Sequence, residues 1–526
     1  MVRDEIKKII EKAAKELGLK ASRVLIEEPK EKNYGDYSTN VALTLAKNPM
    51  ETAKEIELRI KNYELGIFDK VDIVKPGFIN FFLSKEYLQK QVSEILKNKN
   101  KYGDLNIGKK EKINIEFISA NPTGPLTLGN GRGGFGGDVL SNALEKAGYN
   151  VIREFYINDQ GKQIKDLKKG LYQGEKRTAA QIQKENQKFI TEKLKIKFDV
   201  WFSEKSLYKN KEVDKILALL KKKKLTYETS AAPAGGQGAL WFKSTKFGDD
   251  KDRVLIKENG EYTYLTSDLA YLKNKFERGF KKLIFFWGAD HHGYINRIKA
   301  AAEALGYKKE QVDFIIMQLV AIMWTGGGGE KEFMKMSKRK GVYVTLEKLI
   351  NEVGLDAARF FFLARAANSH LIFDLELAKK KSQENPVYYV QYAHARICAI
   401  LRKFGNSQFP WTQSGLPEGL LLNSQTNSKF QIPNYKLLNH PSELDLIKQL
   451  IRFPEIIEDT AKDYQVQRLP QYAIDLAESF HRFYQKCQVI SDEKEKTQAR
   501  MALILATQII LKNTLNLMGI TIPESM

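Results

Sequence analysis

The sequence predicts a multidomain protein in which an α/β core lies between an α+β N-terminal domain and an all-α C-terminal domain. The 526 residues are enough for three or four domains of about 150 residues each. Strand-like runs alternate with helical runs over residues 110–375, which predicts a parallel sheet with helices on both faces. After residue 380 the strand-like runs end. We therefore expect domains at residues 1–100, 105–375 and 380–526.

The apolar pattern predicts the elements of the first two domains. Near the N-terminus an apolar helical face ends at Gly18, and a strand pair over residues 71–83 surrounds the turn Pro76-Gly77. The clearest strands of the core are residues 113–118, 152–157, 254–257, 283–286 and 314–318. A lysine-rich helical stretch and a Gly-Ala loop interrupt this alternation at residues 165–250. We interpret that stretch as an insertion between the two halves of the core.

The C-terminal part has only helical patterns, which predicts an all-α bundle. They cover residues 385–404, 442–464, 468–489 and 493–517. A linker that is low in charge and rich in Ser, Asn, Gln and Pro separates the first two helices at residues 405–441.

Composition indicates a soluble globular protein with a polyanionic partner. No apolar run reaches the roughly 18 residues of a membrane span, and the N-terminus has no signal-peptide stretch, so we expect a cytoplasmic protein that binds no membrane. Cys398 and Cys487 are too few for a disulfide framework and lack metal-ligand spacing, which favours buried thiols. The net charge of +21 favours nucleic acid as a partner. The alternative is a surface that is lysine-rich throughout, without a bound polyanion.

Residues 119–133 form a glycine-rich turn between a strand and a helix. They follow the strand 113–118 and precede a helical pattern that stops at Gly148. This order aims backbone N–H groups and a helix N-terminus at a phosphate. Residues 129–134 also fit the dinucleotide fingerprint, but nine residues separate them from the strand, which makes that match weak.

A second segment carries lysines that suit phosphate chemistry. It reads Lys335-Met336-Ser337-Lys338-Arg339 and follows four glycines at residues 326–329. Lysines that reach the β and γ phosphates stabilise the charge that builds as pyrophosphate leaves. A phosphate cradle with a distant lysine loop is typical of an enzyme that cleaves ATP between its α and β phosphates.

The two segments resemble the hallmark motifs of class I aminoacyl-tRNA synthetases, His-Ile-Gly-His and KMSKS. Further phrases are similar to those of arginyl-tRNA synthetases, and they lie at residues 121–125, 287–294, 356–360 and 385–396. The likeness runs from about residue 33 to residue 526. One departure stands out, because Thr127 and Asn130 replace both histidines of the first motif.

The resemblance implies a Rossmann-like catalytic core, a helical anticodon-binding domain and an N-terminal module that contacts the tRNA elbow. The implied activity is that of an arginine–tRNA ligase, which uses ATP with Mg²⁺ to form arginyl-adenylate and then loads the 3′ end of tRNA. No tightly bound cofactor or metal site is implied, and a monomer is expected. One alternative is a catalytically impaired paralogue that only binds tRNA. A nucleotide-dependent oxidoreductase is disfavoured, because the lysine loop and the helical domain have no role in it.

The resemblance also assigns candidate site residues. The catalytic candidates are Lys335, Ser337 and Lys338 of the second motif, with Thr127 and Asn130 as neutral donors at the histidine positions. The ATP-binding candidates are Pro122, Gly129, Gly131, Gly288, Asp290, His291 and Met336. The adjacent histidines at positions 291 and 292 have the wrong spacing for a metal pair on a helix.

Arginine and tRNA have their own candidates. A guanidinium needs a carboxylate partner, and the resemblance assigns Asp268 to that role, Tyr264 to its neighbour and Asn121 to the α-amino group. Asn158 and Asp159, which follow a strand, are weaker candidates. The tRNA-binding candidates are Tyr388, Tyr392 and Tyr484, because aromatic side chains stack on unpaired bases. The alternative for each tyrosine is a place in the helical core.

Overall fold

The computed structural model describes residues 1–21, 24–63, 66–160, 177–229, 238–325, 331–335, 344–408 and 433–526. The helices are α1 Val2–Glu16, α2 Val41–Leu45, α3 Pro49–Asn62, α4 Lys85–Asn98, α5 Leu128–Lys146, α6 Ala179–Lys188, α7 Glu204–Lys209, α8 Glu212–Lys222, α9 Tyr264–Glu277, α10 Ile295–Leu305, α11 Leu346–Val353, α12 Leu355–Leu363, α13 Leu375–Lys379, α14 Pro386–Gln408, α15 Pro441–Ile451, α16 Phe453–Asp463, α17 Arg468–Lys486 and α18 Lys494–Met518. The strands are β1 Tyr37–Thr39, β2 Phe68–Val74, β3 Phe78–Leu83, β4 Lys112–Glu116, β5 Asn150–Ile157, β6 Val200–Ser203, β7 Thr226–Glu228, β8 Leu240–Phe242, β9 Arg253–Ile256, β10 Lys282–Gly288, β11 Val312–Met317, β12 Val320–Thr325, β13 Lys331–Lys335 and β14 Leu371–Asp374.

The N-terminal domain is a small antiparallel sheet covered by helices. Its strands lie in the order β1–β3–β2, and β2 pairs with β3 across the predicted Pro76-Gly77 turn. The amphipathic α1 buries Val2, Ile6 and Ile10 on the face that the apolar spacing predicts. The predicted strand pair and first helix are therefore confirmed.

The catalytic core is built on a five-stranded parallel sheet. Its strand order is β11–β10–β4–β5–β6. From the central β4, the next strands in the chain, β5 and β6, add on one side of the sheet. The later strands β10 and β11 add on the other side of β4. The strand order therefore reverses between β4 and β10, which is the place where sheets of this kind bind ligands.

Two parts of the core differ from the prediction. Residues 254–257 were expected in the parallel sheet, but β9 instead belongs to a separate antiparallel sheet of order β7–β8–β9. The predicted insertion at residues 165–250 is also not wholly separate, because β6 lies within it and pairs with β5 in parallel. A strand of four residues between charged segments leaves too short an apolar run to be recognised in the sequence.

The glycine-rich start of α5 lets this helix pack closely on the sheet. A Cβ on Gly133 would lie 2.8 Å from Met317 Cε, and one on Gly136 would lie 3.1 Å from Phe286 Cε1. A Cβ on Gly137 would meet the ring of Phe117. These glycines are needed because larger side chains would push α5 away from β4, β10 and β11.

The C-terminal domain is the predicted helical bundle, with one extra break. Residues 442–464 form two helices, α15 and α16, which meet at Arg452 just before Pro454. Helix α18 is long and apolar enough to cross a membrane by length and composition, yet 78% of its most apolar window is buried inside the protein. It is therefore the central helix of this domain. Cys398 and Cys487 are free and buried, as predicted.

The N-terminal and C-terminal domains are bound to each other. Arg3 of α1 donates to Asp459 Oδ1 at 2.6 Å and to Glu455 Oε2 at 3.4 Å, both on α16. The hydroxyl of Tyr37 donates to Glu455 Oε1 at 3.0 Å, and burial raises the pKa of that carboxyl group.

Candidate active site

The carboxyl edge of the parallel sheet gathers residues from distant parts of the chain. Strand β4 ends at Glu116, β5 at Ile157, β6 at Ser203 and β10 at Gly288. Because the strands are parallel, these four ends lie along one edge. After β4 the backbone enters the left-handed region at Ile118 (φ 65°) and Ser119 (φ 37°), a strained turn of the kind often found at functional sites.

Thr127 and Asn130 bind each other at the start of α5. The hydroxyl and the backbone N–H of Thr127 each donate to Asn130 Oδ1 at 2.9 Å, and the N–H of Asn130 donates to Thr127 Oγ1 at 3.4 Å. They form a reciprocal helix cap. The hydroxyl donor expected of Thr127 is therefore used within the protein. The Nδ2 of Asn130 has no hydrogen-bond acceptor among the residues described.

The two glycines predicted to bind ATP have different surroundings. The position of a Cβ on Gly129 meets no atom closer than 3.7 Å, so this residue faces open space. A Cβ on Gly131 would instead lie 2.5 Å from Leu346 Cδ1, which explains the glycine by packing. The first N–H groups of a helix have no partner within the helix. The N–H groups of Leu128 and Gly129 can therefore bind an anion.

Arg132 fixes the first turn of α5 and was not singled out from the sequence. Its guanidinium donates to the carbonyl groups of Gln318 at 2.8 Å, Ala366 at 2.7 Å and Ser369 at 2.8 Å. Burial lowers the pKa of Arg132 to about 10. This side chain therefore ties the start of α5 to the chain that leaves β11.

Asp268 is a buried acid that no cation among the described residues pairs with. The hydroxyl of Tyr294 donates to Asp268 Oδ2 at 2.6 Å. Burial, together with the charges of Glu204 and Glu116, raises the pKa of Asp268 to about 7 against this hydrogen bond. Tyr264 lies one helical turn earlier on α9 with 58% of its surface exposed, at the rim of the pocket.

Glu204 is a second buried acid that sequence reasoning missed. It is the first residue of α7, and burial raises its pKa against a hydrogen bond from Ser267. When the amide of Asn158 is oriented to suit its neighbours, it donates to Glu204 Oε2 at 3.0 Å and lies 3.1 Å from Asn121 Oδ1. The predicted Asn121 and the weaker candidate Asn158 are thus brought to this pocket.

A neighbouring pair of acids differs because cations already neutralise it. Lys275 Nζ lies 3.0 Å from Glu116 Oε2 and 3.0 Å from Glu154 Oε1, and Arg278 lies 2.6 Å from Glu154 Oε2. Although burial opposes it, these charges lower the pKa of Glu154 to about 2. No described Lys or Arg forms an ion pair with Asp268 or Glu204. The pocket therefore has carboxylate charge left for a cationic ligand.

Asp159, the other weak candidate, has a structural role. Its carboxylate accepts from Ser203 Oγ at 2.6 Å and from the N–H of Lys205 at 3.0 Å. These bonds fix the turn between β6 and α7. Asp159 therefore holds Glu204 in place. Both of its own carboxylate oxygens already accept hydrogen bonds.

The segment after β10 lies beside the point where the strand order reverses. A short 3₁₀ helix, Ala289–Tyr294, carries Asp290, whose side chain is 83% exposed, and His291, whose Nε2 lies 3.8 Å from Asp290 Oδ2. A Cβ on Gly288 would lie 2.6 Å from Asp290 Oδ1. Within the described part of the chain, no group of three or more His, Cys, Asp and Glu side chains could hold a metal ion.

The lysine segment is described only at its borders. Lys335 is the last residue of β13, while Met336, Ser337 and Lys338 lie outside the described residues. The chain resumes close to the start of α5. Thr345 pairs with Thr127 in an isolated β-bridge, and the N–H of Leu346 donates to the carbonyl of Leu126 at 2.9 Å. The described chain that follows the lysine segment is therefore bound to the residues just before α5.

Two of the three predicted tRNA-binding tyrosines lie together on the helical domain. Arg396 of α14 lies 5.0 Å from the ring centre of Tyr392 and 5.2 Å from that of Tyr484 on α17. Arg396 also donates to the Tyr392 hydroxyl at 2.9 Å. Tyr388 lies one turn before Tyr392 on α14 and is half-buried. A cation between aromatic rings is a suitable platform for unpaired bases.

Comparisons with known proteins cover nearly the whole chain. Residues 2–83 match the family model described as "Arginyl tRNA synthetase N terminal domain", and residues 390–526 match "DALR anticodon binding domain". Residues 91–187 and 175–370 match "tRNA synthetases class I (R), catalytic domain". The arginine–tRNA ligase of Bacillus subtilis is 43% identical over 100% of this chain and 98% of its own length. The chain belongs to the arginyl-tRNA synthetase family.

Further comparisons agree. Arginine–tRNA ligase 1 of Halalkalibacterium halodurans is 43% identical over 96% of this chain and 94% of its own. The fold is shared with arginyl-tRNA synthetase of Thermus thermophilus, at a TM-score of 0.77 and 20% identity over 100% of both chains. The structure from Plasmodium falciparum has a TM-score of 0.74 at 19% identity, over 100% of this chain and 99% of its own.

Family membership decides the general function. The chain is an aminoacyl-tRNA ligase specific for arginine, and as an arginyl-tRNA synthetase it binds tRNA, arginine and ATP. The predicted fold class is confirmed: an N-terminal domain, a parallel-sheet catalytic core and a helical anticodon-binding domain. Nothing favours the impaired paralogue over the active ligase.

Proposed function

We propose that this ligase binds the guanidinium of arginine between Asp268 and Glu204 and activates its carboxylate at the start of α5. The observation that supports this most directly is a pair of buried carboxylates that no described Lys or Arg pairs with, at the same sheet edge as a helix end that can bind an anion. A cation site beside an anion site suits a substrate with a positive side chain and a reaction at a phosphate.

The charge of the two acids suits the side chain of arginine. A guanidinium is planar and always charged, and its donors favour carboxylate oxygens on more than one side. Asp268 and Glu204 supply such oxygens from α9 and α7, and Tyr264 would cover the open side. Asn121, which lies beside Asn158 at the rim, would accept the α-amino group. Glu116 adds negative charge from below but is shared with Lys275.

ATP would bind across the point where the strand order reverses. The N–H groups of Leu128 and Gly129, with the positive end of the α5 dipole, would bind the phosphates. Gly288, Asp290 and His291 would contact the nucleoside beyond β10, with Pro122 and Met336 beside it. Mg²⁺ would be carried by the phosphates of ATP, as is usual for this ion.

The reaction needs positioning and charge stabilisation but no nucleophile of the enzyme. The carboxylate of arginine attacks the α-phosphate, and pyrophosphate leaves as arginyl-adenylate forms. A hydroxyl of the terminal adenosine of tRNA then attacks the acyl carbon, and AMP leaves. Lys335 and Lys338, with Ser337, would stabilise the departing pyrophosphate. Arg396, Tyr392, Tyr484 and Tyr388 would contact unpaired tRNA bases on the helical domain.

Amino-acid-dependent ATP–pyrophosphate exchange, measured with and without cognate tRNA, tests this function. We expect arginine alone to support exchange, and only when its tRNA is present. Exchange with lysine or glutamine would contradict the arginine pocket. An enzyme that binds tRNA but exchanges nothing would match the impaired paralogue.

We also propose that the enzyme is cytoplasmic and monomeric. Sedimentation of the purified chain measures its oligomeric state.

Restoring histidine at both replaced positions is expected to speed activation and to destabilise α5. A charged donor exceeds a neutral one by about 1 kcal/mol, so each histidine should raise the activation rate roughly 5-fold, and Thr127→His with Asn130→His up to roughly 30-fold. The affinity for ATP should stay similar, because the added donors act mainly on the transition state. Loss of the cap should lower the free energy of unfolding by about 0.5–2 kcal/mol.

Pyrophosphate exchange and thermal unfolding of the double variant provide both measurements. The single variant Thr127→Ser serves as control, since serine retains the cap and adds no charge. A double variant that activates arginine more slowly than the parent would show that the two residues are adapted to their surroundings.

A further inference from the structure

The guanidinium of Arg359 joins α12 to three other parts of the chain. Arg359 is fully buried. Its Nη1 donates to Asp138 Oδ2 on α5 at 2.7 Å and to the carbonyl of Met518, the last residue of α18, at 3.0 Å. Its Nη2 donates to the carbonyl of Leu194 at 2.7 Å. A buried cation is costly unless it is paired and hydrogen-bonded. This one therefore fixes the separation of α5, α12 and α18.

The end of α18 is shaped to receive this cation. Gly519 follows the helix in the left-handed region at φ +64°, and a Cβ there would collide with Arg359 Nη1. The carbonyl end of a helix carries partial negative charge, which favours a guanidinium. Helix α5 makes a second bond to the same end, since Asn142 Nδ2 donates to the carbonyl of Leu517 at 2.9 Å. Two neighbouring turns of α5 are thus bound to the anticodon-binding domain.

The tail after α18 connects the same junction to α14. Gln391 of α14 donates to the Thr521 carbonyl at 3.0 Å, and its Nε2 also donates to Asp356 Oδ2 at 2.8 Å. The N–H of Thr521 donates to Asp356 Oδ1 at 3.1 Å. Asp356 lies on α12, one turn before Arg359. A continuous set of hydrogen bonds therefore runs from α14, which carries Tyr392, through α12 to α5.

We propose that Arg359 is a positioning residue that couples tRNA binding on the helical domain to the placement of the start of α5. The inference rests on the proposed function, because it takes that helix end as the phosphate site. Asp138 lies about 15 Å along α5 from Leu128. A helix moves as a unit over this distance, so a shift at Asp138 reaches the N–H groups of Leu128 and Gly129. Bound tRNA holds α14 and α18, and through Arg359 it holds α5.

The test compares Arg359→Met and Arg359→Lys with a control at another buried arginine, Arg500→Met. Arg500 donates to Glu443 Oε1 and to the Gln488 carbonyl, both at 2.6 Å and both within the helical domain. The first measurement is hydrogen exchange of the backbone amides of residues 128–134, with and without tRNA. The second compares the Kd for tRNA with the kcat of tRNA-dependent pyrophosphate exchange, to show whether a variant loses turnover without losing tRNA affinity.

In the parent protein, tRNA should slow amide exchange at residues 128–134. In Arg359→Met we expect unchanged tRNA affinity, loss of that slowing and a kcat roughly 5- to 150-fold lower, the range of typical coupling between sites. Arg359→Lys retains the charge but not the forked geometry of the guanidinium. Its kcat and its slowing of amide exchange should therefore lie between those of the parent and those of Arg359→Met. Arg500→Met should keep the slowing.

Three results would overturn the proposal. In the first, tRNA does not change amide exchange at residues 128–134 of the parent. In the second, tRNA still slows this exchange in Arg359→Met. In the third, Arg500→Met loses the slowing as fully as Arg359→Met does. If Arg359→Met does not fold, Arg359→Lys and Asp138→Asn carry the same comparison. A parent that shows the slowing without any pyrophosphate exchange would refute the proposed function and leave the coupling intact.

Discussion

Asp268→Asn is expected to raise the KM for arginine by roughly 30- to 1000-fold, since losing one partner of a buried charged pair costs about 2–4 kcal/mol. The carboxylate lies in a pocket without a described cation and next to Glu204, so the arginine guanidinium would be its partner. The KM for ATP should barely change, because the phosphate site at α5 is built from other residues. Steady-state pyrophosphate exchange over a range of arginine concentrations measures both values.

Asp159→Asn is the matched control for this substitution. Asp159 lies at the same sheet edge, but its oxygens already accept bonds from Ser203 and the Lys205 N–H. An asparagine amide retains an accepting oxygen for the Lys205 N–H and can donate to the Ser203 hydroxyl, so Glu204 should stay in place and the KM for arginine should be nearly unchanged. Equal losses in the two variants would mean that charge in the region, rather than a pocket around Asp268, determines arginine binding.

The pH dependence of arginine binding follows from the same group. Burial raises the pKa of Asp268 to about 7 in the arginine-free protein, so the carboxyl is mostly protonated below that pH. Arginine pairs with the ionised form, and its binding must then release a proton. The KM for arginine should therefore rise up to about tenfold per unit as pH falls below 7, and it should level off above. Asp268→Asn should flatten this profile.

Local sequence predicted that a helix follows the glycine-rich segment after β4, but it placed residues 128–133 in the turn, whereas the structure has them in the first turns of α5. The acids of the proposed arginine pocket are different. Glu116, Glu204 and Asp268 come from β4, α7 and α9, and they meet only because the strands are parallel and their ends share one edge. Asp268 was found through family resemblance. Glu204 follows the short β6, which the pattern of apolar residues did not reveal.

The roles of Thr127 and Asn130 show a second limit of sequence reasoning. From the residues alone, each could donate a hydrogen bond to a phosphate. The structure shows that they cap α5 by binding each other. The usual sequence signature of such a cap has Glu or Gln at the third helical position, so asparagine there did not indicate it. Thr127 and Asn130 thus stabilise the helix end whose first N–H groups have no partner within the helix.

Similar reasoning explains the glycines of α5. Their number suggested a phosphate-binding loop, but Gly131, Gly133, Gly136 and Gly137 are required by close packing against side chains of α11 and the sheet strands. Gly129 differs from these four, because a Cβ there would meet no atom closer than 3.7 Å. Its surroundings leave room for a ligand, whereas those of the other glycines are filled by side chains. A sequence does not contain that distinction, since a missing side chain serves both purposes equally.

Lys338→Ala is expected to lower the rate of arginine activation about 10²- to 10³-fold, the scale of losing one preorganised donor to a developing negative charge. The effect should be large in this chain because residues 119–133 contain no histidine and the Thr127 hydroxyl donates to Asn130. Positive charge for the departing pyrophosphate must then come from elsewhere. Beyond this segment the described chain resumes beside the start of α5, where Thr345 pairs with Thr127.

Single-turnover formation of arginyl-adenylate in the presence of tRNA measures this step directly. Lys348→Ala is the matched control, since it removes the same charge from an exposed residue of α11, close to the start of α5. Its rate should stay near that of the parent, and the KM for arginine should be unchanged in both variants. If Lys338→Ala were to activate arginine as fast as Lys348→Ala, the α5 amide groups and Lys335 would be sufficient for the charge on pyrophosphate. Lys338 would then have no part in the transition state.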